Sequence, residues 1–312
     1  MNNLHAILKT HYDLDITGLK PMQGGWAALA FRVYDNSHAY FLKMYEQSRA
    51  STSKWTQHID DYVPIMVWLH QHSRLKHKIP VPVITQQGEY KVEDDEGVYL
   101  LYEYIDGATI GETSLSKQQV IQLSEIIAEL HRYGDEIPVP TDALREDFTV
   151  LFLHQLRLAL NEEFGELPDD VSITVEPYRP PMNALMDTLD SLSGYLKGRT
   201  CSMALCHTDI HNWNMMQSGQ QLMLIDWEGL KLAPVEADFM FLTDQPYYDA
   251  FLDIYRNVHP GFELCTEALQ FYKYKRLLED IWEFMEQLMF DKQTADERAA
   301  TLNSLQKELN HL

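Results

Sequence analysis

The chain has few of the features that mark secreted, membrane or zinc-binding proteins. Its 312 residues include only three cysteines, Cys201, Cys206 and Cys265, without a C-x-x-C pair, so neither a disulfide framework nor a zinc site is predicted. No run of residues approaches the about 20 apolar residues of a membrane span. The start, MNNLHAILKTHYDLD, lacks the basic and apolar regions of a signal peptide. We therefore expect a cytoplasmic protein with no membrane partner.

Basic residues are also scarce. The chain has 25 Lys and Arg against 47 Asp and Glu, which gives a formal net charge of -22 at pH 7. Such a charge repels nucleic-acid phosphates and anionic lipid, so no nucleic-acid partner is expected. Two interpretations of the acidity stay open: it serves solubility alone, or it attracts a cationic substrate.

The first third of the chain has the pattern of a sheet with one main helix. Residues 1–15 predict a helix, and LKPMQGGWAALAFRVYDNSHAYFLKMY predicts an antiparallel meander of three strands. The segment KWTQHIDDYVPIMVWLHQHS predicts a helix that Pro64 bends or begins. Two further strands are expected in PVPVITQQGEY and GVYLLYEYI.

The pattern changes to helix from Thr113 onward. The stretch SKQQVIQLSEIIAELHRYG predicts a serine-capped helix ending at Gly134, so we place a boundary near Asp106 and Gly107 and expect lobes at 1–105 and 106–312. The 45% hydrophobic content is enough for the cores of two modest domains or of one large domain. Within the second lobe we expect an irregular insertion at 135–183, which contains the helix REDFTVLFLHQLRLALNEEF. A helix at 184–197 and a hairpin carrying QLMLIDWEG should follow it, and helices should fill 235–312.

The stretch CHTDIHNWN groups side chains suited to phosphate chemistry. Asp209 stands five positions before Asn214, and the apolar run LMLID delivers Asp226. Asp and Asn oxygens are hard ligands suited to Mg²⁺, and a carboxylate left off the metal can accept a proton. This combination is what phosphoryl transfer requires. The alternative is that these residues cap helices or form Asx-turns.

Lys43 stands in the apolar strand AYFLKMY, where an unpaired ammonium is costly to bury. Asp60 or Asp61, at the start of the next helix, can supply its partner, and a phosphate can share the ammonium. The alternative is a surface lysine on a sheet edge. Gly24 and Gly25, between two strands, allow backbone amides to approach a phosphate, although a hairpin turn explains them equally well.

The order of these parts resembles the aminoglycoside phosphotransferase family, relatives of the protein kinases. The resemblance covers roughly residues 5–290. The chain is similar to the spectinomycin (aminocyclitol) branch of the family in three stretches, LCHTDIHNWN, LIDWEGLKLAPVEADFMFL and YKYKRLLEDIWEF. It implies an α+β, bilobal protein-kinase-like fold, with an antiparallel-sheet N-lobe containing one main helix and a mostly helical C-lobe.

The resemblance also implies roles for the residues of the site. Asp209 is the catalytic aspartate, Asn214 and Asp226 hold Mg²⁺, and Lys43 binds the α- and β-phosphates of ATP. Asp60 is the implied carboxylate partner of Lys43, and Asp61 is the alternative.

The remaining implied roles concern the base and the supports of the catalytic loop. The Glu103 carbonyl and the Ile105 amide read the adenine edge. His207 bonds within the catalytic loop, which is the stretch CHTDIHNWN at residues 206–214, and Asp238 braces that loop, both as structural residues. The role of His211 stays open.

Acidic and aromatic residues are the candidates for contact with the acceptor. Carboxylates suit ammonium groups, and aromatic rings stack on a sugar or face a cation. Each of them can instead be a solvated acid or a core aromatic. The acids are Glu228, Asp244, Glu279, Asp280 and Glu283, and the aromatics are Trp227, Tyr247, Tyr248 and Trp282.

Three hypotheses of function follow. The first is ATP- and Mg²⁺-dependent phosphorylation of a hydroxyl of a small cationic acceptor such as an aminocyclitol or aminoglycoside, as in antibiotic resistance. The second keeps the chemistry and changes the acceptor to choline, homoserine, methylthioribose or a macrolide. The third is a nucleotide-binding module without catalysis. The sequence predicts no oligomeric state.

Overall fold

The computed structural model describes residues 2–22, 27–161 and 167–312. The chain divides into two compact units, Met1–Arg145 with Met203–Glu263 and Glu146–Ser202 with Leu264–Leu312. The boundary expected near residue 105 falls inside the first unit. The division into lobes at 1–105 and 106–312 therefore stays a prediction.

The first unit contains a five-stranded antiparallel sheet. Its strands are β1 (Gly18–Met22), β2 (Leu29–Tyr34), β3 (Ala39–Glu46), β4 (Val92–Glu93) and β5 (Gly97–Glu103). They lie in the order β1-β2-β3-β5-β4, and the first three form the predicted meander. The turn between β2 and β3 closes because Asp35 accepts hydrogen bonds of 2.6 Å from the amides of Ser37 and His38.

One face of this sheet is covered by the helix α1 (Asn2–Tyr12). Leu8 of α1 and Leu42 of β3 belong to the same buried cluster. Side chains alternate between the faces of a strand, so Lys43 and Tyr45 lie on the face opposite Leu42. The sheet therefore packs one face on α1 and presents a lysine and a tyrosine on the other.

The helix that follows β3 is divided in two. The structure has α2 (Thr52–Thr56) and α3 (Ile59–His72), with Pro64 inside α3.

The prediction of a strand in PVPVITQQGEY is wrong. Among the described residues, this segment forms only an isolated bridge between Pro82 and Tyr102. Prolines lack the N–H that a ladder needs, which explains the difference.

The next helix, α4 (Lys117–Leu130), begins with the predicted serine cap. The Gln119 amide donates to the Ser116 hydroxyl at 3.3 Å, and the Gln119 side chain accepts from the Ser116 amide at 2.8 Å. This capping box satisfies two amide groups at the helix start. The helix ends at Leu130, earlier than the expected Gly134.

Short strands arrange the segment that carries the motif. They are β6 (Ala108–Thr109), β7 (Ala204–Cys206), β8 (Met215–Ser218), β9 (Gln221–Leu224) and β10 (Lys231–Ala233). β8 and β9 form the predicted hairpin, and Met215 pairs with Leu224. Because Asn214 precedes β8 and Asp226 follows β9, the hairpin brings these two residues to the same end. The helices α8 (Glu236–Phe239) and α9 (Tyr248–Val258) complete the first unit.

The second unit is helical. It contains α5 (Phe152–Leu160), α6 (Asp169–Val175), α7 (Arg179–Lys197), α10 (Thr266–Phe290) and α11 (Ala295–Leu309). Three differences from the prediction fall in 135–183: α5 begins at Phe152 rather than at Arg145, α6 was not expected, and α7 begins at Arg179 rather than near 184. Pro180 and Pro181 lie in the first turn of α7, where a helix tolerates residues without an N–H. None of the helices in the described ranges is long and apolar enough to cross a membrane.

Candidate active site

The segment after β7 is held by a buried carboxylate on α8. Asp238, with 0% exposure, accepts hydrogen bonds from the amides of His207 at 3.1 Å and Thr208 at 2.6 Å. Thr208 has a left-handed backbone with φ 67°, which a residue with a branched side chain adopts only under constraint. The two bonds to Asp238 supply that constraint.

The His207 ring holds the same loop from within. Its Nε2 donates to the Ile225 carbonyl at 2.9 Å, and its Nδ1 accepts from the Asp209 amide at 3.3 Å. The ring also packs edge-on against Trp227, with centroids 4.6 Å apart. Both ring nitrogens are thus used in backbone contacts, and the structural role implied for His207 stays a prediction.

Asp238 has a further partner that the sequence did not indicate. His131, the residue after α4, places Nε2 2.9 Å from Asp238, and Tyr255 of α9 bonds to His131 Nδ1 at 3.0 Å. The Cys206 thiol is close enough that donor atoms of His131, Cys206 and Asp238 lie within 4.8 Å of one another. Asp238 already accepts three hydrogen bonds, so we interpret this group as a brace rather than a metal site. In the sequence, the available signal for this brace was a histidine, His131, at the end of a predicted helix.

Asp209 is oriented by Asn214. The Asn214 side-chain amide donates to Asp209 Oδ2 at 2.8 Å and to the Asp209 carbonyl at 3.0 Å. His211 Nε2 lies 3.4 Å from Asp209 Oδ1, and the Asp209 side chain is 27% exposed. Since the amide nitrogen of Asn214 is used in these bonds, its side-chain oxygen is the atom suited to a metal.

Asp226 follows β9 in a left-handed conformation, with φ 62°. Its neighbour Ile225 donates its amide to the Asn214 carbonyl at 3.0 Å, which joins the two predicted metal ligands through the backbone. The following segment approaches the catalytic loop closely, because Thr208 donates its hydroxyl to the Gly229 carbonyl at 2.7 Å. A Cβ at Gly229 would lie 2.5 Å from the Thr208 hydroxyl oxygen, so a side chain there would displace the loop.

Lys43 forms ion pairs with two carboxylates of this segment. Its Nζ lies 3.1 Å from Asp226 Oδ1 and bonds to Glu228 Oε1 at shorter range. The Tyr45 hydroxyl donates to the same oxygen of Glu228. The side chains of Lys43 and Glu228 are 13% and 8% exposed, whereas that of Asp226 is 40% exposed. A buried ammonium on the sheet is thus joined to the loop that follows β9.

The charges of this cluster stabilise one another. Burial by itself would lower the pKa of the Lys43 ammonium, but the Asp226 and Glu228 carboxylates outweigh it and raise that pKa above its usual value. Burial would raise the pKa of Glu228, but the charge and hydrogen bond of Lys43 and the hydroxyl of Tyr45 lower it. Both groups are therefore charged near neutral pH.

This arrangement corrects the expected Lys43–Asp60 pair. Asp60 is 59% exposed and pairs with Lys91 at 2.9 Å, and Asp61 lies 2.9 Å from His58 Nδ1. In α3 the helical period places Tyr62, with 1% exposure, on the buried face, so the acids at the start of α3 face solvent. The alternative that Lys43 is a surface residue is also excluded by its burial.

The sequence placed Glu228 among the acceptor contacts, and the structure places it against Lys43. Its position two residues after Asp226 was the available signal, because both carboxylates leave the same short segment. That segment, residues Trp227–Gly229, is a 3₁₀ turn, which brings the two side chains close together.

A family model described as the phosphotransferase enzyme family matches residues 18–263. This range contains β1 to β5, the catalytic loop and the Lys43 cluster. The chain belongs to the phosphotransferase enzyme family. The resemblance stated from the motifs is thereby confirmed, and so is the prediction of a small-molecule phosphotransferase at the level of the family.

Solved structures of other phosphotransferases share the fold. A spectinomycin phosphotransferase in complex with ADP and spectinomycin is 22% identical with a TM-score of 0.76, over 98% of this chain and 93% of its own. The choline kinase LicA from Streptococcus pneumoniae is 14% identical with a TM-score of 0.67, over 100% and 99%. A microcompartment-associated aminopropanol kinase is 15% identical with a TM-score of 0.63, over 99% and 95%. These likenesses confirm the protein-kinase-like α+β fold. No curated protein matches the chain in sequence.

The remaining nucleotide contacts of this phosphotransferase stay predictions. Glu103 ends β5 and pairs with Tyr40 of β3, and Ile105 follows it in the chain. Gly24 and Gly25 lie outside the described residues.

The predicted acceptor contacts differ in exposure. Asp244 is exposed in the first unit, whereas Trp227 is 2% exposed and donates its indole N–H to the Leu224 carbonyl at 3.0 Å. Trp282 is 5% exposed in the second unit, so both tryptophans fit the alternative of core aromatics. Three acids, Glu279, Asp280 and Glu283, lie on α10, and their contact with an acceptor stays a prediction.

The donor set fits a divalent cation with phosphates. Three carboxylates, of Asp209, Asp226 and Glu228, stand against one ammonium, of Lys43, so the formal sum of these side chains is two negative charges. The available ligands are oxygens, which Mg²⁺ prefers, and Asp226 is open to solvent along part of its side chain. The residues present therefore suit Mg²⁺.

Proposed function

We propose that this phosphotransferase transfers the γ-phosphate of ATP, in the presence of Mg²⁺, to a hydroxyl of a small cationic acceptor such as an aminocyclitol or aminoglycoside. The observation that carries the proposal is the pair Asp209–Asn214, bonded at 2.8 Å, on a loop joined through Ile225 to Asp226 and so to Lys43. A proton acceptor, metal ligands and a phosphate-binding cation thus belong to one bonded arrangement.

Each side chain has a distinct task in this proposal. Lys43 binds the α- and β-phosphates, and Asn214 and Asp226 hold Mg²⁺, which when bound neutralises phosphate charge. Asp209, fixed by the Asn214 amide, orients the acceptor hydroxyl and takes up its proton as the phosphoryl group arrives. The transfer is direct, without a phospho-enzyme. The Glu103 carbonyl and the Ile105 amide bind the adenine.

The acceptor class is supported by charge. The net charge of -22 attracts cations and repels anions. The structural neighbours include proteins named for spectinomycin, choline and aminopropanol, all of which carry amino or ammonium groups. Asp244 and the α10 acids Glu279, Asp280 and Glu283 are the proposed contacts for such groups.

The test is phosphate transfer from Mg²⁺–ATP to a panel of acceptors, followed by mass spectrometry of each acceptor. The panel contains spectinomycin, several aminoglycosides, choline, homoserine, methylthioribose and a macrolide, with Asp209→Asn as the negative control. Addition of one phosphate to an aminocyclitol or aminoglycoside, absent in the control, supports the proposal. Product on another member replaces the acceptor class and keeps the chemistry. ATP binding without product on any acceptor favours the non-catalytic module.

A further inference from the structure

Tyr45 shares its carboxylate partner with Lys43. The two residues lie two positions apart on β3 and therefore on the same face of the sheet. The Tyr45 hydroxyl and the Lys43 ammonium both donate to Glu228 Oε1. Tyr45 has 0% exposure, so its ring is fixed by packing and its hydroxyl is aimed at one point.

The Glu228 carboxylate needs a hydrogen-bond donor that stays in place while Lys43 binds other groups. It is 8% exposed, and a buried carboxylate is costly unless its oxygens are paired. Lys43 is also bonded to Asp226 at 3.1 Å, and in the proposed reaction it binds phosphates as well. When Lys43 is shared in this way, Tyr45 is the partner that stays on Glu228, because its ring is held in the sheet.

Helix α3 contributes no acid at this point. Its acids Asp60 and Asp61 pair with Lys91 and His58. One of its buried residues is Tyr62, whose hydroxyl has no hydrogen-bond partner among the described residues. Burial raises the pKa of the Tyr62 hydroxyl, and the charge of Glu228 adds to the rise. Lys43 is thus paired with Asp226 and with Glu228, and Glu228 also bonds to Tyr45, where the sequence had suggested a helix acid beside Lys43.

We propose that Tyr45 is a positioning residue for phosphoryl transfer: its hydroxyl holds Glu228 in place, and Glu228 in turn holds Lys43 at the position from which it binds the nucleotide phosphates. The strand that carries the lysine thus supplies part of its own support. This inference rests on the proposed function, since it assigns Lys43 to the phosphates of ATP.

The first test compares Tyr45→Phe with Tyr99→Phe. Tyr99 is a matched control, because it is fully buried in the same sheet and its hydroxyl bonds to a carboxylate, Asp94, at 3.0 Å, away from the site. A hydrogen bond to a charged group is expected to matter roughly 10- to 100-fold. We expect Tyr45→Phe to lower kcat/KM for Mg²⁺–ATP by this factor and to weaken nucleotide affinity in calorimetry. In Tyr45→Phe the KM of the acceptor should stay within about twofold of the wild type. In Tyr99→Phe the kcat/KM for Mg²⁺–ATP and the nucleotide affinity should also stay within about twofold of the wild type.

The second test separates positioning from packing. Tyr45→Phe is made again in a Glu228→Ala background, where its hydroxyl has no carboxylate to hold. We expect the effect of Tyr45→Phe on kcat/KM to disappear there, as a double-mutant cycle shows for residues that act through one another. An equal loss in both backgrounds would mean that Tyr45 only packs, and the inference would be wrong.

The outcomes also distinguish the inference from the proposed function. A wild-type protein that neither binds Mg²⁺–ATP nor transfers phosphate overturns both. Normal activity of the wild type with Tyr45→Phe equal to Tyr99→Phe overturns the inference alone. If Tyr45→Phe does not fold, Glu228→Gln takes its place, because glutamine keeps the shape of the side chain and loses the charge that holds Lys43. Unchanged nucleotide affinity in Glu228→Gln would also overturn the inference.

Discussion

Asp209 has two carboxylate oxygens in different surroundings. Oδ2 accepts a hydrogen bond of 2.8 Å from Asn214, and Oδ1 lies 3.4 Å from His211 Nε2. With 27% exposure the group is reachable from solvent. A carboxylate that is oriented by a hydrogen bond and partly exposed suits a proton acceptor.

The substitution Asp209→Asn should therefore remove turnover and keep nucleotide binding. The amide has a similar shape but cannot take up the hydroxyl proton, and a positioned general base contributes about 10²–10⁴-fold. We expect kcat to fall by that factor while the affinity for Mg²⁺–ATP, measured by calorimetry, stays near the wild-type value. Asp95→Asn, at an exposed loop aspartate, is the control. Near-normal kcat in Asp209→Asn would remove Asp209 from this role.

Asp226 is predicted to act through the metal. We expect Asp226→Ala to weaken ATP binding in the presence of Mg²⁺ by roughly tenfold or more, since it removes a carboxylate ligand and one ion-pair partner of Lys43. Without Mg²⁺, ATP binding should change much less. The measurement is a titration of ATP with and without Mg²⁺. Equal loss under both conditions would show that Asp226 acts only on Lys43.

At the scale of elements, the catalytic loop is held by separate parts of the first unit. The short helix α8 supplies Asp238, the end of α4 supplies His131, and β9 leads to the Ile225 carbonyl that binds His207. The motif H-x-D-x-x-x-x-N indicated the loop because its residues are close in sequence. No comparable motif indicates His131, which lies 107 residues from Asp238 in the chain.

Helix α10 carries a carboxyl with an unusual titration. Burial raises the pKa of Asp280 from an ordinary 3.8 to about 7, Glu283 adds to the rise, and the bond to Arg276 opposes it. Between about pH 4 and pH 7 the folded chain retains a proton that the unfolded chain has released. Asp280 therefore reduces stability as the pH rises through this range, and its contribution is constant above it.

The variant Asp280→Asn should remove this pH dependence. We expect the free energy of unfolding of the variant, relative to the wild type, to increase between about pH 4 and pH 8 by about 1 kcal/mol or more, since each unit of pKa shift corresponds to about 1.4 kcal/mol. Urea unfolding at several pH values measures it. Asp253→Asn, at an exposed position of α9, is the control for replacing an aspartate on a helix. A difference that does not vary with pH would contradict the raised pKa.

The whole molecule adds a long-range term to the local contacts. With a formal net charge of -22 the field of the protein attracts cations from a distance. Salt screens that field, because the Debye length falls from about 30 Å at about 0.01 M to about 8 Å at about 0.15 M ionic strength.

We therefore expect the KM of a cationic acceptor to rise several-fold between these two ionic strengths. The KM of an uncharged hydroxyl acceptor of similar size should change little. Steady-state kinetics at fixed Mg²⁺–ATP, with the two acceptors compared at each salt concentration, measure the effect. Equal salt dependence for both acceptors would assign the acidity to solubility, the alternative that the sequence left open.

The fold class and the chemical groups of the catalytic loop could be predicted from the sequence. Alternation and helical spacing are local properties, so the meander, the Ser116 cap and the hairpin before Asp226 followed from them. The five-residue spacing of Asp209 and Asn214 similarly placed two groups in one turn.

The carboxylate that pairs with Lys43, in contrast, depends on the tertiary structure. Glu228 is 185 residues from Lys43 in the chain, and Asp60 is far nearer in sequence. Asp60 lies on the exposed face of α3. The turn after Asp226 places Glu228 against Lys43 of the sheet. An ion pair depends on distance and burial in space, and neither can be obtained from the spacing of residues along the chain.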